Sequence, residues 1–130
     1  MTNFLAIDDV VALHDSRVDA RLIDEGKLDS ALNRPRNIEA YGGADIHRMA
    51  AALCQGVCQA HAFLDGNKRT SLLAVAVFYA LNGYDFNPSD ADLLHLIVDL
   101  TTGDADAEKA SSMFSIWAIP RPEEDPHERQ

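Results

Sequence analysis

The chain has 130 residues, of which 47% are hydrophobic, and it carries a formal net charge of -10. That length and apolar content suit one globular domain around a single core. The negative charge repels nucleic-acid phosphates and anionic lipids, so we expect no direct nucleic-acid contact and no membrane binding. No secretory pattern or membrane-length apolar run occurs, and we therefore expect a soluble, cytoplasmic protein.

The first predicted helix covers residues 8–23. Its apolar positions Val11, Val18 and Leu22 share one helical face behind an Asp cap. Gly26 is expected to end this helix, because glycine breaks a regular helical pattern.

A short helical segment, SALNR, is expected next, capped by Asp29 or Ser30. Pro35 should end it, because proline disfavours helical backbone in the residue that precedes it. The following stretch RNIEAYGG, residues 36–43, has no helical period and predicts a loop or a short flap hairpin.

Two long helices are predicted in the middle of the chain. The first begins at Asp45 and has apolar positions at intervals of three and four: Ile46, Met49, Ala50, Leu53, Val57 and Ala60. The second covers residues 68–81 and has no charge after Arg69, so we expect other helices to surround it and this helix to form the core axis. Gly83 supplies the left-handed residue that commonly closes a helix.

Two further helices are predicted towards the end of the chain. Ser89 and Asp92 form a capping pattern for the first, and Gly103 ends it. Asp104 opens the second, whose inward face would be Ala107, Ala110, Phe114 and Trp117. We therefore predict one all-α domain over residues 1–119, with five or six helices around a central buried helix and little or no sheet. The charged tail, residues 120–130, has almost nothing apolar to bury and should be disordered.

The stretch HAFLDGNKRT, residues 61–70, lies where a loop turns into the helix over 68–81. The backbone N–H groups of Gly66, Asn67 and Lys68 would lack helical partners there, which makes this helix start a candidate phosphate site. Lys68 and Arg69 add cations whose position opposes the helix dipole, so something negative should compensate them.

Two more residues of this stretch suit phosphoryl transfer. Asp65 can hold a Mg2+ ion that bridges phosphate oxygens, or it can merely cap the helix. His61 has an unperturbed pKa of about 6.5, which suits proton abstraction near neutral pH. Phe63 is interpreted as a core anchor that fixes the loop. The other three helical histidines have no ligand spacing and are interpreted as ordinary core or surface residues: His14, His47 and His95.

The stretch HAFLDGNKRT resembles the signature of the Fic/Doc superfamily. AMP-transferring Fic enzymes usually have a small glycine after the asparagine, whereas the death-on-curing (Doc) branch has a lysine, which is Lys68 here. The resemblance extends over roughly residues 8–118 and includes the segments ALHD, GKLDSALNRP and RTSLLAVAVFYALNGY.

This resemblance implies an all-α Fic fold and a toxin that transfers the γ-phosphate of ATP to a hydroxyl of a protein, with elongation factor Tu as the family's target. It implies that His61 takes the proton of the acceptor hydroxyl and that Asp65 holds Mg2+. The start of the helix would bind the ATP phosphates through Gly66, Asn67, Lys68 and Arg69. Lys68 would also orient the nucleotide so that the γ-phosphate faces the acceptor.

Two departures from the family bear on regulation and mechanism. Ala62 replaces the proline common in AMP-transferring members, which leaves the loop less rigid. The motif of self-restraining members is incomplete, because Arg21 stands where the hydroxyl residue should precede Glu25 and Gly26. We therefore expect inhibition by a separate antitoxin of the Phd type. An AMP transferase on the same fold and a catalytically silent helical binding module are the alternatives.

Overall fold

The computed structural model of the protein describes residues 2–15, 22, 24–42 and 45–122. Within these residues the chain forms six helices and two short strands. Their bounds are α1 (Ile7–Asp15), α2 (Glu25–Gly42), α3 (Ile46–Ala60), α4 (Asn67–Leu81), β1 (Tyr84–Phe86), α5 (Asp90–Thr102), α6 (Ala107–Trp117) and β2 (Ala118–Pro120). The strands pair antiparallel, and Asp85 lies opposite Ile119. The prediction of an all-α fold with little sheet is confirmed.

None of the helices in these described ranges combines the length and the apolar character that crossing a bilayer requires.

The core is built around α3, which packs against α2, α4, α5 and α6. Its buried positions include most of those that the periodicity predicts, among them Met49, Leu53 and Val57. The helix over 68–81, expected to be the central one, is α4, and fewer of its residues are buried. One side of α4 is only half-buried because it faces the cavity described below, so the central helix is α3.

Several of the sequence signals for helix ends are confirmed. Asp45 caps α3, Ser89 caps α5 through a bond from Asp92 N to its Oγ, and Gly83 and Gly103 have left-handed backbones after α4 and α5. The last helix begins slightly later than predicted. Its cap is Asp106, whose carboxylate accepts from Lys109 N at 2.8 Å, whereas Asp104 accepts from the Thr102 hydroxyl.

The second helix differs from the prediction. Asp24 Oδ1 accepts from Lys27 N at 3.0 Å, so α2 begins before Gly26 and Gly26 does not end a helix. The prediction of a separate short helix at SALNR, capped by Asp29 or Ser30, is therefore wrong, because α2 includes these residues.

Pro35 also lies inside α2, and its ring is buried. The helix continues through residues 36–42, so the loop or flap hairpin predicted there is wrong for these residues; residue 43 lies outside the described part of the chain. Burial of the proline ring in the core offsets the local cost of proline in a helix.

A close contact between α2 and α3 accompanies this proline. Pro35 has no N–H, so the carbonyl of Ala31 lacks its usual helical partner. Gly56 of α3 lies against that carbonyl, since a Cβ added at Gly56 would stand 3.2 Å from both Ala31 O and Ala31 Cβ. Glycine at this position therefore allows the two helices to approach closely.

Replacing Gly56 by valine is expected to lower the free energy of unfolding by about 1–3 kcal/mol, because the added atoms overpack the contact with Ala31. Gly26→Ala is the control, since a Cβ there meets only Asp24 Oδ1 at 3.5 Å and should be neutral or slightly stabilising. Urea denaturation followed by circular dichroism measures both, and equal stability of the two variants would contradict the close contact.

The first helix ends at Asp15, and most of its predicted second half, including Val18, lies outside the described residues. Its buried positions are Val10 and His14, whereas Val11 is half-buried, so the inward face is rotated from the one expected.

The fold extends past residue 119. Pro120 pairs with Tyr84 in the two-stranded sheet, and Arg121 N donates to Gly83 O at 2.8 Å. The Arg121 guanidinium also donates to Ala80 O at 2.6 Å. The start of the segment predicted to be a disordered tail is thus part of the fold, and residues 123–130 lie outside the described part.

Aromatic packing fixes the sheet against α4. Tyr79 is fully buried and stacks on Phe86 at 4.9 Å between ring centroids, and Phe114 packs edge-on against Phe86. Burial raises the pKa of the Tyr79 hydroxyl well above its usual range, so the hydroxyl stays protonated, and it forms a hydrogen bond of 2.9 Å with His47 Nδ1. This cluster places Phe86 at the edge of the cavity.

Candidate functional site

The site begins at His61, the residue that follows α3. Its backbone is left-handed, with φ 49° and ψ 39°, a conformation that is uncommon outside glycine and costs of order 1 kcal/mol or more. It turns the chain sharply out of α3, and the exposed His61 side chain lines a cavity at the start of α4. A strained backbone at a candidate base is consistent with a functional constraint.

The loop between α3 and α4 is closed by the side chain of Asn67. Its Oδ1 accepts from Phe63 N at 3.1 Å and its Nδ2 donates to Phe63 O at 2.9 Å, so one amide binds both main-chain groups of Phe63. Phe63 is 2% exposed, which agrees with its interpretation as a core anchor. The side chain of Asn67 is therefore hydrogen-bonded within the loop, whereas its main-chain N–H has no acceptor among the described residues.

The start of α4 has no side-chain cap. Gly66 occupies the N-cap with φ 81°, whereas Asp45, Ser89 and Asp106 cap their helices through side-chain oxygens. The first helical bond of α4 runs from Thr70 N to Gly66 O at 2.9 Å.

Three main-chain N–H groups in the first turn of α4 have no partner within the helix. The N–H groups of Asn67, Lys68 and Arg69 have no acceptor among the residues that the structure describes. Unpaired amides at a helix start carry partial positive charge, so the N-terminal end of α4 is suited to an anion.

The carboxylate of Asp65 does not cap the first turn of α4. Its Oδ1 accepts from Gly66 N at 2.8 Å, which leaves its second oxygen free of hydrogen bonds within the described ranges. Asp65 is exposed and lines the same cavity as His61.

A cavity of about 1090 Å³ lies in front of these groups. All six residues that the sequence predicts for the site line it: His61, Asp65, Gly66, Asn67, Lys68 and Arg69. Much of the remaining lining is apolar and includes Leu72, Leu73, Ala76, Phe86, Pro88 and Leu93. A cavity of this volume is large enough for a small-molecule ligand with a polar end and an apolar end.

Lys68 and Arg69 give the polar end of the cavity its positive charge. Both are exposed, and neither forms an ion pair with any residue in the described ranges. In a chain of net charge -10, two unpaired cations beside free amides are a local arrangement suited to an anion.

A divalent cation could be held only with help from a ligand. The described residues contain no group of three or more His, Cys, Asp or Glu side chains placed to hold a metal ion. Asp65 supplies a carboxylate next to the free amides, and Mg2+ commonly binds one or two carboxylates together with substrate phosphates. The residues present therefore fit Mg2+ that is bound together with a phosphorylated ligand.

The thiols are poor candidates for the chemistry. Cys54 is buried, and burial raises the pKa of its thiol to about 12, so it is not a thiolate near neutral pH. Cys58 lines the cavity but is only 3% exposed and lies 3.4 Å from the Thr101 hydroxyl. His61 remains the exposed candidate base.

Four contacts of the loop with other segments were not predicted from the sequence. His14, interpreted there as an ordinary residue, is fully buried, stacks on Phe63, and has its Nε2 2.8 Å from Asp65 O. On another side, Leu22 forms an isolated antiparallel bridge with Phe63, and Asp24 N donates to Ala62 O at 3.0 Å. No local pattern predicts such contacts, because they join residues about 40 to 50 positions apart.

Fold and site together define a mostly helical protein in which an uncapped helix start and an exposed histidine line the same cavity. Residues 4–79 match the profile described as the Fic/DOC family. The chain is also similar to Toxin Doc of Mycolicibacterium smegmatis, with 32% identity over 127 residues that cover 91% of this chain and 95% of that protein. The chain belongs to the Fic/Doc family, in its Doc toxin branch.

Proposed function

We propose that this chain is a toxin that transfers the γ-phosphate of ATP to a hydroxyl group of a target protein. The observation that carries the proposal is the uncapped start of α4, where three free amides and two unpaired cations share a cavity with His61. Family membership supports the toxin class, and the geometry supports phosphate chemistry.

The phosphate end of ATP fits the polar end of the cavity. The amides of Asn67, Lys68 and Arg69 donate to phosphate oxygens, and the two cationic side chains neutralise charge beside them. The free oxygen of Asp65 would hold Mg2+ together with the phosphates of the nucleotide. When bound, Mg2+ neutralises the charge that develops on the transferred phosphoryl group.

His61 acts as the general base. Its imidazole is exposed to the same cavity and takes the proton of the acceptor hydroxyl as the phosphate is transferred. The sharp turn at φ 49° fixes its position relative to α4. Binding and orientation supply the rest of the rate enhancement, as expected for phosphoryl transfer.

Lys68 favours phosphate transfer over AMP transfer. In the resemblance to Doc, a lysine replaces the small residue of AMP-transferring members, and Lys68 lies in the first turn of α4 at the cavity. A long cation there occupies space that would otherwise admit phosphates along the helix start, and it shifts the place where charge is neutralised. An AMP transferase on this fold is the alternative.

Labelled ATP distinguishes the two reactions. Purified chain is incubated with cell lysate and with ATP labelled either at the γ-phosphate or at the α-phosphate, with His61→Ala as the inactive control. We expect protein-bound label from γ-labelled ATP only. Label from the α-position would indicate AMP transfer, and no label from either nucleotide would favour a silent binding module.

The target and the inhibitor are proposed from the resemblance. Elongation factor Tu is the first acceptor to test, which places the activity in the cytoplasm, where translation occurs. A Phd-type antitoxin is the expected inhibitor, because the self-restraining motif is incomplete at Arg21. Incubating purified elongation factor Tu with the chain and γ-labelled ATP tests the target directly, and an unlabelled factor would exclude it.

A further inference from the structure

His14 of α1 contacts the loop that carries Asp65 at two points. Its ring lies face to face with Phe63, with 3.8 Å between centroids and 11° between planes. Its Nε2 lies 2.8 Å from the main-chain oxygen of Asp65. A carbonyl oxygen can only accept, so Nε2 carries the proton and donates.

These contacts hold the loop on both sides of Leu64, which is 68% exposed and does not anchor the loop in the core. The side chain of Asn67 binds Phe63 independently. Without His14 the loop would keep its contacts at Ala62 and Phe63, but the main chain of Asp65 would lose its link to α1. Loss of His14 should therefore mainly change the position of Asp65.

A purely structural role would not require this hydrogen bond. His14 is 0% exposed, and an apolar side chain could fill the same space against Phe63 without a polar group to satisfy. Its other ring nitrogen, Nδ1, lies 2.9 Å from the Asp15 carboxylate, a contact that orients the ring when both ring nitrogens carry a proton, because a carboxylate can only accept. The imidazole is thus oriented at one nitrogen and bound to Asp65 at the other, an arrangement that resembles the outer contacts which orient metal ligands.

We propose that His14 is a positioning residue that fixes the Asp65 carboxylate for the divalent cation, an inference that rests on the proposed phosphate transfer. The hydrogen bond holds the carbonyl of Asp65, and the orientation of that peptide sets where the carboxylate lies relative to the amides of α4. Loss of such an outer contact typically lowers metal affinity 10- to 100-fold.

The test compares His14→Phe, which keeps a ring against Phe63 but loses the donor, with His14→Gln, which can restore a donor. Mn2+ affinity is measured by titration calorimetry in the presence of a non-hydrolysable ATP analogue, and the Mg2+ dependence of transfer is measured alongside. We expect His14→Phe to weaken Mn2+ binding about tenfold and to raise the Mg2+ requirement similarly, with partial recovery in His14→Gln.

His47→Phe is the matched control, because His47 also bonds a core group, the Tyr79 hydroxyl, but does not line the cavity. It should leave Mn2+ affinity unchanged even if it lowers stability. Amide hydrogen exchange adds a readout without nucleotide: the Gly66 N–H, bonded to Asp65 Oδ1, should exchange faster in His14→Phe.

Unchanged Mn2+ affinity and unchanged Gly66 exchange in a folded His14→Phe would overturn the inference. If that variant does not fold, His14→Leu, which also lacks the donor to Asp65 O, carries the same expectation, and unchanged Mn2+ affinity there overturns it equally. A native chain that binds Mn2+ and the analogue but transfers nothing would contradict the proposed function alone.

Discussion

Replacing His61 by alanine is expected to lower the rate of phosphate transfer about 10²- to 10⁴-fold, the usual contribution of a positioned general base. The fold should persist, because His61 is exposed and its side chain bonds no residue within the described ranges. Affinity for the nucleotide should change little, since the amides and cations of α4 are untouched. The loss should therefore appear in the rate constant for transfer at saturating ATP.

The measurement is single-turnover transfer from γ-labelled ATP to the acceptor protein. His95→Ala is the control, because His95 is an exposed histidine on α5 that pairs with Asp99 and does not line the cavity. His61→Asn is a second test, since asparagine tolerates the left-handed backbone that alanine adopts less readily. Transfer at near-native rates in both His61 variants would show that another group removes the proton.

Most of the helices could be predicted because their signals are local. Asp45, Ser89, Gly83 and Gly103 act within one turn of the helix that each begins or ends, and all four occupy the predicted roles. The six site residues were also accessible to sequence reasoning, since one contiguous loop and helix start supplies them. Their spacing along the chain directly sets their spacing in the site.

The errors have a common physical cause, which is packing between distant segments. Pro35 remains inside α2 because its ring is buried and because Gly56 of α3 lets the two helices approach at Ala31. The local preference against proline in a helix could not reveal that compensation. His14 is a similar case, because the contact that distinguishes it from an ordinary buried residue is with a loop 51 positions away in the chain.

The apolar wall of the cavity was not predicted for the same reason. Phe86 and Leu93 reach the cavity only because β1 and α5 pack beside α4. An apolar residue on a strand or helix is most simply read as core, and nothing in its neighbours distinguishes a core position from a ligand-facing one. Sequence reasoning therefore predicted the residues at the polar end of the cavity and missed those at the apolar end.

Gly66→Ala should abolish most ATP-dependent transfer, with a loss of about 10²-fold or more. A methyl group at Gly66, the N-cap residue immediately before the three free amides, should obstruct the close approach to the main chain that the proposed phosphate requires. It would also force a left-handed alanine at φ 81°, which costs roughly 1–2 kcal/mol. Strain alone could lower activity by lowering stability, so the two effects have to be separated.

Gly103→Ala separates them. Gly103 has φ 87°, nearly the same strain, and a Cβ there meets no atom within 4 Å. Both variants should lose similar stability in urea denaturation, but only Gly66→Ala should lose affinity for the ATP analogue in titration calorimetry. Equal affinity in the two variants would mean that phosphate does not approach the main chain at Gly66, and the uncapped start of α4 would then need a different explanation. A selective loss at Gly66 would tie nucleotide binding to the free amides, because the strain is common to both variants and only the position of the methyl group differs.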